Sequence, residues 1–351
     1  MANAVLIVQG EGKGHLSQSI ALFEYLEEAG HVVQKVFVGS HPGHLLPGYF
    51  TALFKGRLEL FQSPYFLRTP NQKGIYVGRS LLMNLFRFTV YLREKKRIRS
   101  AIRELAPDVV FNFYDLVGAL ALRKAAPGTQ RIGIGHHFLL HQENYSGCRN
   151  RPVDRWLLQA HTRLVMQSCD RIFALSYRMT QPKSGIEVAP PLIRKAFRML
   201  DRHPGDRYLA YLMTGGYLYD LVRMCQEDPG FMVDVFTDIK PGMDLPAGLQ
   251  VHPPGENRFR ELMSTCKGII TTAGFDTAAE AAYHGIPLLV VPARGHFEQF
   301  CNSRDLEKCG IATAVDQLVP GVQLRAKAAV NNDFREWADK AGSMILNSIE
   351  K

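Results

Sequence analysis

Residues 269–287 read IITTAGFDTAAEAAYHGIP, and their order decides the fold. A short β-branched run ends in Thr271 and Thr272, Gly274 turns the chain, and a helical pattern opens near Asp276 and Thr277. A buried strand passed through a glycine turn into a helix is the repeating unit of a parallel α/β sheet. Such a turn aims backbone N–H groups, with the helix dipole behind them, at any anion beyond the helix start. The Thr277 hydroxyl adds a donor suited to a pyrophosphate. Glu280 lies one turn further on, where a carboxylate can accept two hydroxyls of a ribose. The plainer alternative makes Asp276 a helix cap and Glu280 a surface residue.

Moving outward, residues 288–302 read LLVVPARGHFEQFCN, so Glu298, Gln299 and Asn302 follow a strand end, where polar side chains suit a hydroxyl-rich ligand. Across the second half, strands are expected at 208–213, 231–236, 249–252, 268–272 and 287–291, with helices at 276–284 and 297–309. The first half repeats the alternation: strands at 5–8, 32–38, 109–111, 131–135 and 171–175, and a helix from His15 to the stop at Gly30. At 351 residues the chain exceeds one comfortable core. Gly185 and the Pro190-Pro191 pair offer a hinge. The expected division is 1–185, 186–325 and a C-terminal helical tail at 326–351.

The first turn of the chain, GEGKGH at residues 10–15, is also glycine-rich. It is neither the GxGxxG dinucleotide fingerprint nor a Walker A loop. A histidine at a helix start stays neutral in the field of the dipole and is available as a base. Asp115, just past the strand ending at Phe111, is expected on the same strand-end surface, where it would orient His15. The alternatives are that His15 caps its own helix and Asp115 the helix beginning at Leu116.

The net charge of +9 is uneven: residues 1–185 hold 24 Lys and Arg against 12 Asp and Glu. An anionic partner for that half is implied. Residues 79–103 join large apolar side chains to Arg93, Lys95, Lys96, Arg97, Arg99 and Arg103, which fits an anionic membrane surface as well as a core helix with solvated charges. The apolar stretch 81–92 contains Arg87 and falls short of the ~20 residues of a membrane span. No secretory pattern is read at the start, and six cysteines without a CxxC pair fit reduced thiols, so a cytoplasmic protein is expected, peripheral to the inner face of the membrane if the basic segment docks there. His136, His137 and His141 lack a matched carboxylate or cysteine spacing, and no D-x-D motif occurs, so neither metal nor cofactor is expected.

In this order and spacing the segments resemble inverting GT-B glycosyltransferases of the MurG-like kind, which move N-acetylglucosamine from UDP to a lipid-linked acceptor. The resemblance implies two Rossmann-like α/β domains facing across a cleft, the acceptor on the first and the UDP-sugar on the second, with the C-terminal helix packing back towards the first. It assigns Gly12, Gly14 and His15 to the acceptor-side loop and Thr214, Gly215 and Gly216 to a second phosphate-facing loop. Gly274, Phe275, Asp276 and Thr277 become the diphosphate-binding helix start, Glu280 the ribose carboxylate, and Gln299 the reader of sugar hydroxyls. Glu298 stands where a second glutamine is usual, which leaves the donor sugar open. The implied activity is metal-independent inverting transfer from a UDP-sugar, with no nucleic acid partner. A UDP-sugar epimerase of the same fold is the alternative, although its usual first loop is missing. A non-catalytic binder of nucleotide sugar or nucleic acid is the other.

Overall fold

The structure, a computed structural model, describes residues 1–70, 73–123, 127–141, 151–182, 185–212, 215–237, 244–253, 255–321 and 332–349. Its contacts divide the chain into two units. The first comprises Met1–Phe66, Gly78–Lys195 and Glu336–Lys351; the second comprises Leu67–Val77 and Ala196–Arg335.

The first unit is built on strands β1 (Asn3–Gln9), β2 (Val32–Ser40), β3 (Leu58–Gln62), β4 (Val109–Phe113), β5 (Gln130–Ile134), β6 (Arg171–Leu175) and β7 (Ile186–Ala189). They form one sheet in the order β3-β2-β1-β4-β5-β6-β7, with every pairing parallel. Its helices are α1 (Gly14–Glu28), α2 (Gly48–Leu53), α3 (Val77–Phe86), α4 (Phe88–Leu105), α5 (Leu116–Leu122) and α6 (Pro152–Met166). β1 sits mid-sheet, and its Ala4–Val8 core is fully buried, as a continuous apolar run in a parallel strand requires. Tyr91, Ile98 and Ile102 of α4, with Val117, Ala121 and Leu122 of α5, pack on Val5, Ile7, Phe37 and Val110.

The second unit holds α7 (Lys195–Arg198, begun at the last residue of the first), α8 (Leu218–Glu227), α9 (Glu256–Thr265), α10 (Phe275–Tyr283) and α11 (Phe297–Lys308). Its strands are β8 (Tyr208–Tyr211), β9 (Val233–Phe236), β10 (Leu249–His252), β11 (Gly268–Thr271), β12 (Leu288–Val290) and β13 (Thr313–Ala314). They pair in parallel in the order β10-β9-β8-β11-β12-β13. Both sheets therefore carry the 3-2-1-4-5-6 order of doubly wound folds, reversing between β1 and β4 in one and between β8 and β11 in the other.

Three details differ from the sequence reading. Residues 186–195 stay with the first unit, because β7 pairs with β6 from Ile172↔Ile186 to Leu175↔Ala189. Residues 67–77 cluster with the second unit although they come from the first half of the sequence. The tail is two short helices, α12 (Asn332–Ala338) and α13 (Ala341–Leu346), and residues 336–351 cluster with the first unit. There Trp337 Nε1 donates to Ser176 O at 2.9 Å, and Ser348 O accepts from Gln130 Nε2 at 2.8 Å and Arg171 at 3.0 Å.

Candidate active site

In open parallel sheets ligands bind beyond the carboxyl ends of the strands, where the strand order reverses. In the first unit that point lies between β1 and β4, and the glycine loop emerges from β1 there. Gly10 N–H donates to Gly39 O at 2.7 Å, tying the loop to the end of β2. Gly12 has φ +89°, a conformation that strains any residue with a Cβ. Glu11 accepts from the Phe66 N–H at 2.7 Å. Gly14 and His15 open α1, and Lys13 precedes it without a side-chain cap.

His15 joins a cluster of rings drawn from three adjacent strand ends. It lies 5.4 Å from His137, 6.4 Å from His136 and 6.0 Å from Tyr114, stacked on each. Tyr114 follows β4 with φ +61°, in the left-handed region, and stacks on His137 at 3.9 Å and on His161 at 5.0 Å. A bulky residue in that conformation stores strain, held here by its stacking and by the bond from its hydroxyl to Thr162 at 2.5 Å. His161 bonds the Tyr114 backbone, and burial pushes its pKa down to about 4, so its imidazole stays neutral. His15 Nδ1 approaches Gln18 Oε1 at 3.4 Å, and Gln18 is buried.

Asp115 does not pair with His15. One carboxylate oxygen accepts from the Gly118 N–H at 2.7 Å and caps α5; the other accepts from Ser63 Oγ at 2.5 Å. Its side chain is fully buried, and desolvation raises its pKa from 3.8 to about 6 against the pull of these bonds. The physical reason is local: a carboxylate one residue before a helix satisfies the nearest orphan N–H groups first. Gln18, three positions along α1, is a polar neighbour of the His15 ring.

In the second unit the reversal lies between β8 and β11. Thr214 lies outside the described residues; Gly215 and Gly216 form a 3-10 turn with Tyr217 just past β8. Beyond β11, Gly274 caps α10 and offers no side-chain acceptor to the first turn, and Asp276 sits within the helix rather than at its cap. The positive end of the α10 dipole thus lies where the chain leaves β11. Phe275 and Glu280 are buried and Thr277 is half-buried. Thr271 Oγ1 donates to Tyr211 O at 2.6 Å, locking β11 to β8.

α11 begins after β12. His296 caps it, accepting from the Gln299 N–H at 3.4 Å. Gln299 is buried, and its Oε1 accepts from the Ala293 N–H at 2.9 Å; Glu298 is half-buried. Asn302 Nδ2 donates to Ala273 O at 3.0 Å, tying α11 to the turn before Gly274. The structure thus brings Gly274–Glu280 and Glu298–Asn302 to one end of one sheet. Sequence reasoning missed the cap at His296 and the ring partners of His15. A His-Phe-Glu-Gln run is a readable capping signal, whereas ring stacking across three strands has none.

A family model described as glycosyl transferase family 1 matches residues 2–324. The chain belongs to that family. Two relatives from Methanosarcina acetivorans, both described as uncharacterized glycosyltransferases, are 22% and 25% identical, covering 90% of this chain and 86% and 84% of theirs. Among solved structures, the glycosyltransferase of kitacinnamycin aligns with a TM-score of 0.61 at 17% identity, covering 99% of each chain. MurG of Acinetobacter baumannii aligns at 0.58 and 18% identity, again over 99% of each chain. The spinosyn rhamnosyltransferase SpnG complexed with thymidine diphosphate aligns at 0.56 and 16% identity, over 98% of this chain and 92% of that one. The glycosyltransferase is thus an α/β enzyme of GT-B fold. Among its described residues no helix is long and apolar enough to cross a membrane. Cys169, Cys225, Cys266 and Cys309 form no disulfide, whereas Cys301 is disulfide-bonded, so the all-reduced reading does not hold for it.

Proposed function

We propose that this glycosyltransferase moves a hexose, N-acetylglucosamine or a related sugar, from a UDP-sugar to an acceptor hydroxyl with inversion and without a catalytic metal. The carrying observation is that His15 follows the reversal strand of one sheet and Gly274–Glu280 that of the other. The α10 start would hold the diphosphate, Glu280 the ribose and Gln299 the sugar. With the proton on Nδ1, donated to Gln18, the lone pair of His15 is at Nε2. It takes the acceptor proton as the acceptor oxygen bonds the anomeric carbon and the bond to the diphosphate breaks. The departing charge is met by N–H groups and the helix dipole, which need no reorganisation as it develops. SpnG was complexed with thymidine diphosphate, so the test is a thermal-shift screen against UDP-, dTDP- and GDP-sugars. UDP-sugars should give the largest stabilisation; a larger one from dTDP-sugars would reassign the base.

A lipid-linked acceptor at the cytoplasmic membrane face is favoured by one observation. Leu81, Leu82, Leu85 and Phe86 of α3, and Phe88 at the start of α4, are all exposed, by 49% to 79%. Arg79, Arg93 and Lys96 are exposed nearby. An apolar patch with basic neighbours fits an anionic lipid surface. The basic cluster is smaller than its sequence implies. Arg97 is bound to Glu59 and Glu94, and Arg99 donates to the Leu120 and Ala121 carbonyls.

A further inference from the structure

We propose that the hairpin whose arms are residues 67–70 and 73–77 is a positioning element for the sugar-reading end of the donor site. This rests on the reading of Gln299 as the residue that reads the donor sugar. The hairpin is closed by the Arg68↔Ile75 bridge, by Thr69 N–H to Gly74 O at 2.9 Å and by Tyr76 N–H to Leu67 O at 2.8 Å. It then pairs with the loop before α11: Arg294 N–H donates to Lys73 O at 2.9 Å, and Ile75 N–H donates to Arg294 O at 3.2 Å. The approach is close enough that a Cβ on Gly74 would lie 2.3 Å from Arg294 O. Lys73 anchors the hairpin from the other side, with Nζ 2.7 Å from Asp220 of α8 and 5.6 Å from the Tyr217 ring centre.

The loop so held contains the group that fixes Gln299. Ala293, next to the clamped Arg294, donates its N–H to Gln299 Oε1. With Oε1 bonded there, the orientation of the Gln299 amide depends on where the Ala293–Arg294 backbone lies. The path runs from Lys73 and Ile75 to Arg294, then through Ala293 to Gln299. A hairpin from the first half of the sequence thereby sets how the second half reads the sugar. Lys73, Gly74 and Ile75 are positioning residues that act through Gln299.

The test compares UDP-N-acetylglucosamine with UDP by isothermal titration on the full chain, because only the first carries a sugar for Gln299 to read. Gln299→Ala should weaken UDP-N-acetylglucosamine by about three- to tenfold, the scale of one hydrogen bond, and leave UDP unchanged. Lys73→Met and Gly74→Ala should do the same, raising donor KM while kcat stays within about twofold, and Lys73→Arg should restore the wild-type ratio. The inference is overturned if Gln299→Ala acts as described but both hairpin variants keep the wild-type ratio. Equal weakening of both ligands by the hairpin variants would also overturn it, since that marks general loosening of the unit. If the wild type does not distinguish the two ligands, or Gln299→Ala is silent, the sugar-reading role of Gln299 fails and the hairpin's role falls with it.

Discussion

Ser63 Oγ donates to the buried carboxylate of Asp115 at 2.5 Å, and the second oxygen of that carboxylate caps α5 through Gly118. The carboxylate serves the fold rather than His15. Asp115→Asn keeps a capping oxygen and should retain most activity, whereas Asp115→Ala should cost about 1–2 kcal/mol of stability as a lost cap. The pH dependence has a definite sign. The folded-state pKa, about 6, lies above the unfolded value of 3.8, so the folded protein binds the extra proton between those values. Relative to Asp115→Asn, the wild type should be most stable below that window and lose ground as pH rises through about 6. Urea midpoints of both proteins at pH 5 and 7.5 measure this. A stable Asp115→Asn protein with turnover down by about 10²-fold or more would return Asp115 to the reaction.

His15→Ala should reduce turnover by about 10²–10⁴-fold, the range for a general base, with donor affinity unchanged. Gln18→Ala, which removes the neighbour of Nδ1, should give a smaller loss of the same kind. Single-turnover rates beside donor titrations separate these effects. Equal losses in donor binding and turnover would make His15 a structural residue.

Much of this architecture is legible in the sequence, and the gaps have physical causes. Central strands such as Val5–Val8 and Ile269–Thr271 are covered on both faces, so their apolar runs stand out. β3 is not legible because it is an edge strand with Leu60 exposed beside Glu59, and β7 because four residues before Pro190-Pro191 look like a hinge. The passage from β11 through Gly274 into α10 could be read because a strand end, a glycine turn and a helix start follow one another locally in the sequence. The His15 stack and the 67–77 hairpin could not, since they depend on residues brought together only by strand order and by long-range pairing.

His161 predicts an opposite acid response. Burial lowers its pKa from 6.5 to about 4, so the folded state binds fewer protons than the unfolded state between those values. Its contribution is fully present above pH 6.5 and is lost as pH falls towards 4. His161→Phe should flatten the stability loss across that window. Chemical denaturation at half-unit pH steps would show it, and an unchanged slope would mean His161 does not stay neutral in the fold.

The α3 patch predicts salt-sensitive lipid binding. Wild-type protein should sediment with phosphatidylglycerol vesicles at low salt, remain in solution with phosphatidylcholine vesicles, and be released in high salt. Leu85→Ser with Phe86→Ser should abolish sedimentation, and Lys96→Gln should weaken it by about 1 kcal/mol. Arg97→Gln is a poor probe, because that guanidinium holds α4 to Glu59. A wild type that ignores anionic vesicles at low salt would favour a soluble acceptor.

The central claim is that α10 and its buried Glu280 form the nucleotide-sugar site. Isothermal titration of UDP into wild type and Glu280→Ala tests it directly, with thermal melting as the control for folding. The account predicts binding by the wild type and a loss of about 1.5–3 kcal/mol in a folded Glu280→Ala protein, the worth of hydrogen bonds to a charged group. Equal affinity in the two proteins would contradict it, and so would a wild type that binds no UDP.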